Sequence, residues 1–165
     1  MPNVLALFLL ALFTVTPAAA GEFTHKDGPF AGDMFVIDPA GLEEFKKPSD
    51  QGVSLKGMDK VKVGQKFAVV FVFHGMELRS DKSCDVTYDL KILDPNGKLE
   101  GPDTKEQLGL KEKITDQNLV FNNRAIPIVA FDDKSVMGKY KLVGTLHDKV
   151  GNKHIPLTAE FELVK

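Results

Sequence analysis

The chain has 165 residues and a formal net charge of −2, with 21 Lys and Arg residues against 23 Asp and Glu residues. Charges of both signs are mixed along the sequence, which excludes the basic stripe typical of nucleic-acid-binding proteins and a long acidic tail. We therefore expect no nucleic acid among its partners. The single cysteine, Cys84, cannot form a disulfide within the chain, so the fold must depend on its hydrophobic core.

Residues 1–20 have the pattern of a cleaved secretory signal. They carry no charged side chain, and an apolar run from Val4 to Val15 is followed by Pro17 and three alanines. The closing Ala-x-Ala pattern predicts cleavage after Ala20. The apolar run is too short to cross a bilayer core of roughly 30 Å. We expect a periplasmic or secreted protein with no membrane span after cleavage.

Residues 21–52 are predicted to form an N-terminal extension that precedes the main domain. Met34–Ile37 is a short apolar run, typical of an edge strand, and Asp38-Pro39 ends it. Residues 41–47 predict one or two helical turns, which Pro48 stops.

The stretch from Phe67 to His74 predicts the central strand of the fold. Its apolar residues fall on both faces and are rich in valine and phenylalanine, which indicates a strand that is covered on both sides. Residues 86–92 alternate between apolar and polar, so this strand has one buried face and one wet face. The sequence Asp94-Pro95-Asn96-Gly97 predicts a tight turn after it.

The rest of the chain predicts further strands and one long connection. Residues 100–116 are mostly polar and show no sustained period, which predicts a solvated loop crossing between sheets, with a partner-binding loop as the alternative. Strands are predicted at residues 118–122, 126–131, 138–146 and 155–164, with a hairpin connection at 148–153. Pro156 marks the last strand as an edge strand. The fold class is therefore all-β: an antiparallel sandwich of seven to eight strands over residues 53–165.

Two stretches resemble bacterial immunoglobulin-like domains. Val86 to Lys98 reads VTYDLKILDPNGK, and Gly138 to Asp148 begins with Gly-Lys-Tyr and ends in aspartate before a hairpin and a terminal strand. The resemblance covers residues 53–165 and implies a periplasmic immunoglobulin-like β-sandwich, a class of module that serves many roles. It also suggests Tyr140 as a tyrosine-corner residue, with a plain core tyrosine as the alternative. The cysteine pair and the buried tryptophan of antibody domains are missing.

Known catalytic motifs are missing from the sequence. It contains no G-x-S-x-G, no H-E-x-x-H, no phosphate-binding glycine loop and no C-x-x-C. The acidic pairs Glu43-Glu44 and Asp132-Asp133 are adjacent, and adjacent side chains of an extended chain point apart. The sequence thus predicts that the protein is not an enzyme.

One candidate metal site emerges from the predicted topology. If the last hairpin turns at Val150-Gly151, the numbers of facing residues sum to 301, and His147 faces His154. The connection between the strands at 67–74 and 86–92 is expected at the same end of the sandwich. Imidazole, thioether and thiolate together suit copper, and less often zinc. The candidate ligands are His74, Met76, Cys84, His147 and His154, with a chance clustering of these residues as the alternative.

A complete sandwich pattern without a catalytic constellation indicates a binding or structural module. We expect it to contact another protein through a loop end or an edge strand. The alternative function is that of a soluble periplasmic protein that binds copper through the five candidate ligands.

Overall fold

The computed structural model describes residues 23–46 and 54–165. The predicted signal sequence and Pro48 lie outside these residues. Among the described residues the strands are β1 His25–Asp27, β2 Phe30–Ile37, β3 Lys60–Lys62, β4 Phe67–His74, β5 Val86–Leu93, β6 Leu99–Leu110, β7 Phe121–Asn122, β8 Ile128–Val129, β9 Gly138–Asp148 and β10 Lys153–Val164, with a 3₁₀-helix at Pro39–Lys46.

The strands form two five-stranded sheets that share one core. Sheet A has the order β1-β2-β4-β7, with β8 also paired to β4, and sheet B has the order β3-β10-β9-β5-β6. The predicted all-β class is confirmed. The strand count is higher than the predicted seven to eight, and one pair is parallel, with Val61 of β3 opposite Leu163 of β10. The additional strands β1 and β3 have three residues each, too few to show an alternation in the sequence. The strands predicted at residues 118–122 and 126–131 are present but shorter, as Phe121–Asn122 and Ile128–Val129.

Strand β4 is the buried centre of sheet A. Its alternate residues from Phe67 to Phe73 point into the core between the sheets. Ala68, Val70 and Val72 point to the other face and form a second cluster with Ile37. The second cluster is covered by Leu42 and Phe45 of the 3₁₀-helix, among others. This cover explains why the strand is apolar on both faces.

Strand β2 corrects the predicted N-terminal extension. It pairs with β4 along its length, from Ala31 opposite His74 to Ile37 opposite Ala68, and β1 flanks its first residues. The sandwich therefore begins well before residue 53. Gly32 and Asp33 interrupt the apolar pattern, which hid the start of this strand from the sequence. Gly32 is needed because a Cβ there would lie 2.7 Å from Leu146 Cδ1, a side chain of the facing sheet.

The predicted loop at residues 100–116 is largely wrong, because β6 occupies Leu99–Leu110. Most of this strand is exposed, and its pairing with β5 shifts register at three places. Gly101 and Glu106 have positive φ values of 79° and 49°. Such bulges and charged residues are typical of an edge strand protected against pairing with another chain, and they remove the alternation that sequence reasoning needs.

The β9–β10 hairpin has the predicted register. Asp148 lies opposite Lys153 and His147 opposite His154, so facing residue numbers sum to 301. Strand β10 is not a simple edge strand, because β3 pairs with its last residues, Glu162–Val164. Pro156 lies outside that paired part, where its missing N–H leaves no gap in the ladder.

Candidate functional site

His147 and His154 form a close pair on the outer face of sheet B. Their Nδ1 atoms lie 2.8 Å apart, and their ring centroids are 5.0 Å apart at an interplanar angle of 73°. The pair exists because the two residues are directly opposite on β9 and β10. His154 is exposed, and the side chain of His147 retains 16% of its accessible surface. Both rings can therefore be reached from solvent.

Asp89 of β5 completes a row of polar side chains on this face. Its Oδ2 lies 3.3 Å from Nε2 of His147 and 3.6 Å from Nζ of Lys105. Its Oδ1 accepts a hydrogen bond of 2.8 Å from the backbone N–H of Glu106. Burial by itself would raise the pKa of Asp89, but hydrogen bonds from the Glu106 backbone and His147, together with the neighbouring Lys105, hold that pKa below its ordinary value. Asp89 is therefore a fixed carboxylate beside His147.

The other predicted ligands lie elsewhere in the sandwich. His74 is on the outer face of sheet A, with its ring 5.0 Å from the Phe23 ring, and burial lowers its pKa. Met76 and Cys84 are fully buried in the core between the sheets. The Cys84 thiol donates to the Glu112 carbonyl at 3.3 Å, and burial raises its pKa.

The five-residue metal site predicted from the sequence is therefore not assembled. Each sheet separates its two faces, so the core residues Met76 and Cys84 cannot approach the histidine pair on the outer face of sheet B. His74 is on the far side of the molecule, beyond the roughly 10 Å between packed sheets. Within residues 23–46 and 54–165, no three His, Cys, Asp or Glu residues are grouped to hold a metal ion. Sequence reasoning placed these residues at one end, but it could not assign their faces.

Asp148 has a structural role inside the hairpin. This carboxylate is fully buried and accepts hydrogen bonds from the backbone N–H groups of Glu77, Val150 and Gly151 at 2.9 to 3.1 Å. It holds the β9–β10 turn against the segment that follows β4. Because its side chain points away from the histidine pair, it is not a partner of their rings.

A cavity of about 320 Å³ opens between the sheets on the side where β6 and β8 are the outermost strands. Leu90 and Ile92 of β5 and Phe131 form apolar parts of its wall, and Glu100 and Asp132 supply two carboxylates. At this edge of the sandwich the pairing of β6 with β5 is irregular, and β8 pairs only with Phe67 and Ala68 of β4. Its volume lies at the lower end of the range for ligand pockets, roughly 300–1,000 Å³.

Exposed apolar side chains are concentrated on the segments that line this cavity. Leu99 and Ile128 are each 48% exposed, Val136 is 41% exposed and Met137 is 36% exposed. Leu99 adjoins Glu100 in the sequence, Ile128 lies between the lining residues Pro127 and Val129, and the other two follow the lining residue Ser135. Ile128 lies opposite Ala68 and Leu99 lies opposite Leu93, so these two side chains point to the outer faces of sheets A and B, beside the opening. Val136 and Met137 follow the cavity wall in the loop that precedes β9.

Tyr140 packs beside the cavity wall as a core tyrosine. Its ring lies 4.6 Å from that of Phe131 and 5.4 Å from that of Phe161. Its hydroxyl is buried and makes no hydrogen bond of ordinary geometry to any described residue. Burial raises its pKa, with a further contribution from the Glu100 and Asp94 carboxylates. The Val136 backbone, four residues upstream, is the group nearest to the hydroxyl partner of a tyrosine corner, but the contact falls short of ordinary hydrogen-bond geometry.

Comparisons with known proteins found similar structures, but no matching protein family and no similar curated sequence. No protein-family model matches the chain, and no curated protein is significantly similar to it. A family 123 glycoside hydrolase from Clostridium perfringens matches 83% of this chain with a TM-score of 0.47 and 14% identity. The alkylpurine DNA glycosylase AlkC of Pseudomonas fluorescens, bound to DNA, matches 83% with a TM-score of 0.44 and 11% identity. An immunoglobulin-like protein from Pseudomonas aeruginosa matches 89% of this chain over its own full length, with a TM-score of 0.34 and 15% identity.

Two of these structures correct the sequence-based exclusion of enzymes. The glycoside hydrolase and the DNA glycosylase are enzymes, so the prediction that this chain is not one does not stand. The chain spans 27% of the first and 31% of the second. At TM-scores below 0.5 the likeness assigns no reaction to this chain.

In the described residues, no helix is long and apolar enough to cross a membrane.

Proposed function

We propose that this protein is an exported, immunoglobulin-like binding module that contacts another protein through the open side of its sandwich. The open side is the surface around the cavity, formed by Leu99, Ile128, Val136 and Met137. The proposal is carried by one observation: the exposed residues Val136 and Met137 directly follow Ser135 in the wall of a cavity between the sheets. Leu99 and Ile128 extend this apolar surface onto the adjoining outer faces of the two sheets.

The open side has the two parts that a partner-binding surface needs. The cavity can receive one apolar side chain of a partner, and the exposed residues around it can exclude water from the contact. Burying large side chains in such a pocket contributes about 25 cal/mol for each Å² of apolar surface removed from water. Pairing of a partner's strand with an edge of either sheet is a weaker alternative. Strand β6 is bulged and charged, and the strands β1, β3, β7 and β8 are very short.

Charge favours a basic partner surface. Glu100 and Asp132 both line the cavity. A partner that presents Lys or Arg next to its apolar anchor would meet complementary potential there, which raises the association rate and the specificity.

The test is site-specific photo-crosslinking in the native host. A photoreactive residue at position 137 should yield a crosslinked product with one partner protein. The same residue at position 119 is the matched control, because Leu119 is an apolar residue about as exposed as Met137 but lies near β7, towards the opposite end of β4. Adding Ile128→Asp should remove the product formed from position 137.

Two results would contradict the proposal. Equal products from positions 137 and 119 would show that the open side has no special role. A product that contains only a second copy of this chain would show self-association instead of a distinct partner. Metal binding is the second candidate function, and it depends on the histidine pair.

A further inference from the structure

We propose that His147 and His154 form a two-histidine site for a divalent transition-metal ion, Cu²⁺ or Ni²⁺, on the outer face of sheet B. Water fills the remaining coordination positions. This site is independent of the open side and of the partner proposed to bind there. It also differs from the five-ligand site predicted from the sequence, because Cys84, Met76 and His74 play no part in it.

The spacing of the two rings suits a metal ion that binds two ligands at a right angle. Metal–nitrogen bonds to histidine are about 2.0–2.1 Å long, so two nitrogens at 90° lie about 2.9 Å apart, and two at the tetrahedral angle about 3.4 Å apart. The Nδ1 atoms of His147 and His154 are 2.8 Å apart. This contact is also a hydrogen bond, so one Nδ1 carries a proton, and a metal ion bound by both rings would displace that proton. The short spacing favours the square-planar or tetragonal geometry of Cu²⁺ and Ni²⁺ over the tetrahedral geometry of Zn²⁺.

Asp89 holds the His147 ring in the tautomer that a metal ion requires. Its carboxylate lies 3.3 Å from Nε2, where it accepts the proton of that nitrogen, so the lone pair of His147 is left on Nδ1, facing His154. A carboxylate behind a metal-binding histidine is a common arrangement that orients the ring and increases its basicity. The Glu106 backbone N–H fixes Asp89 in turn, at 2.8 Å.

A further polar group lies beside the pair. Thr87 of β5 is the direct cross-strand neighbour of His147, on the same face of sheet B. Its hydroxyl oxygen is buried and makes no hydrogen bond to any residue in the described ranges. Buried hydroxyls rarely stay unpaired in folded proteins. Thr87 thus adds a polar group to the face of sheet B that carries the histidine pair.

The backbone around the pair is rigid, which reduces the cost of ordering the rings. His147 and His154 lie inside a ladder of eleven consecutive residue pairs between β9 and β10. The His154 backbone N–H donates to Asp27 Oδ2 at 3.1 Å, which ties this end of β10 to β1. A site on paired strands holds its ligands more accurately than a site on a loop.

The test is a calorimetric titration of the purified protein with Cu²⁺, accompanied by pulsed EPR that counts the coordinated imidazoles. The wild type should bind one equivalent with two imidazoles. His147→Ala and His154→Ala should each weaken binding at least tenfold and leave one imidazole or none. Asp89→Asn should weaken it by roughly 10- to 100-fold, as removal of a supporting carboxylate does.

His25→Ala and Cys84→Ala are the matched controls, since neither residue belongs to the site, and both should bind copper as the wild type does. Circular dichroism should show that all five variants remain folded. The proposal is overturned if His147→Ala binds copper as tightly as the wild type, or if EPR detects fewer than two imidazoles in the wild type. Tighter binding of Zn²⁺ than of Ni²⁺ would overturn the right-angle geometry.

Discussion

The side-chain oxygen of Asn123 accepts a hydrogen bond of 3.0 Å from the backbone N–H of Phe71, and the Asn123 N–H donates to the Phe71 carbonyl at 3.1 Å. This asparagine thus pairs with β4 in the gap between β7 and β8. Its Nδ2 donates to the Ala125 carbonyl at 2.7 Å, and the residue is fully buried. One polar side chain therefore completes the hydrogen bonding of the central strand where no regular strand lies beside it.

We predict that Asn123→Ala lowers the free energy of unfolding by about 1–3 kcal/mol, because it leaves the buried Phe71 N–H without a partner. Urea denaturation measures this loss. Asn118→Ala, at an exposed position, is the control and should change stability by less than about 0.5 kcal/mol. Equal losses in the two variants would contradict the role given to Asn123.

The two tyrosines of the chain should respond differently to removal of their hydroxyl groups. Tyr88 donates its hydroxyl hydrogen to the Ala125 carbonyl, so Tyr88→Phe should cost about 1 kcal/mol. The Tyr140 hydroxyl is buried with no such bond in the described residues, so Tyr140→Phe should leave stability unchanged or raise it. Thermal denaturation of the two variants gives the comparison. A larger loss from Tyr140→Phe would show that its hydroxyl has a partner.

Two glycines with similar positive φ values allow the cost of backbone strain to be distinguished from the cost of a steric clash. Gly64 has φ +78° and nothing within 4 Å of an added Cβ, whereas Gly75 has φ +72° and an added Cβ would lie 1.9 Å from the Pro29 carbonyl oxygen. Gly64→Ala should cost about 1–2 kcal/mol from the left-handed backbone conformation alone. Gly75→Ala should cost clearly more, because β2 must also move away from the end of β4. Denaturant midpoints check the order, and the reverse order would place Pro29 elsewhere.

Processing of the N-terminus is a prediction from the sequence alone. If residues 1–20 are a cleaved export signal, the mature protein begins Gly21-Glu22-Phe23 and is found outside the cytoplasm. N-terminal sequencing of the protein from periplasmic or culture fractions tests this. Recovery of Met1 from the exported protein would contradict it.

The strands that the sequence located are those whose patterns are local. The all-apolar run at Phe67–His74 and the alternation in Val86–Leu93 both correspond to strands. The hairpin register followed from its turn, which is why His147 and His154 could be paired in advance. Strand β6 was missed because bulges and charges at a free edge erase the period of two. The role of Asn123 gave no sequence signal, since it depends on β4, which lies 52 residues away.

The sequence by itself determined the all-β class, the central strand and the face-to-face position of the two histidines, because each follows from short-range periodicity or from one tight turn. Tertiary structure alone decided that Cys84 and Met76 point into the core while the histidines point to solvent, that Asp89 supports His147 from a neighbouring strand, and that a cavity opens between β6 and β8. These features depend on which distant strands become neighbours. Which strands become neighbours is decided by burial of the whole core. Many residues contribute to that burial together, so no single stretch of sequence is sufficient to predict it.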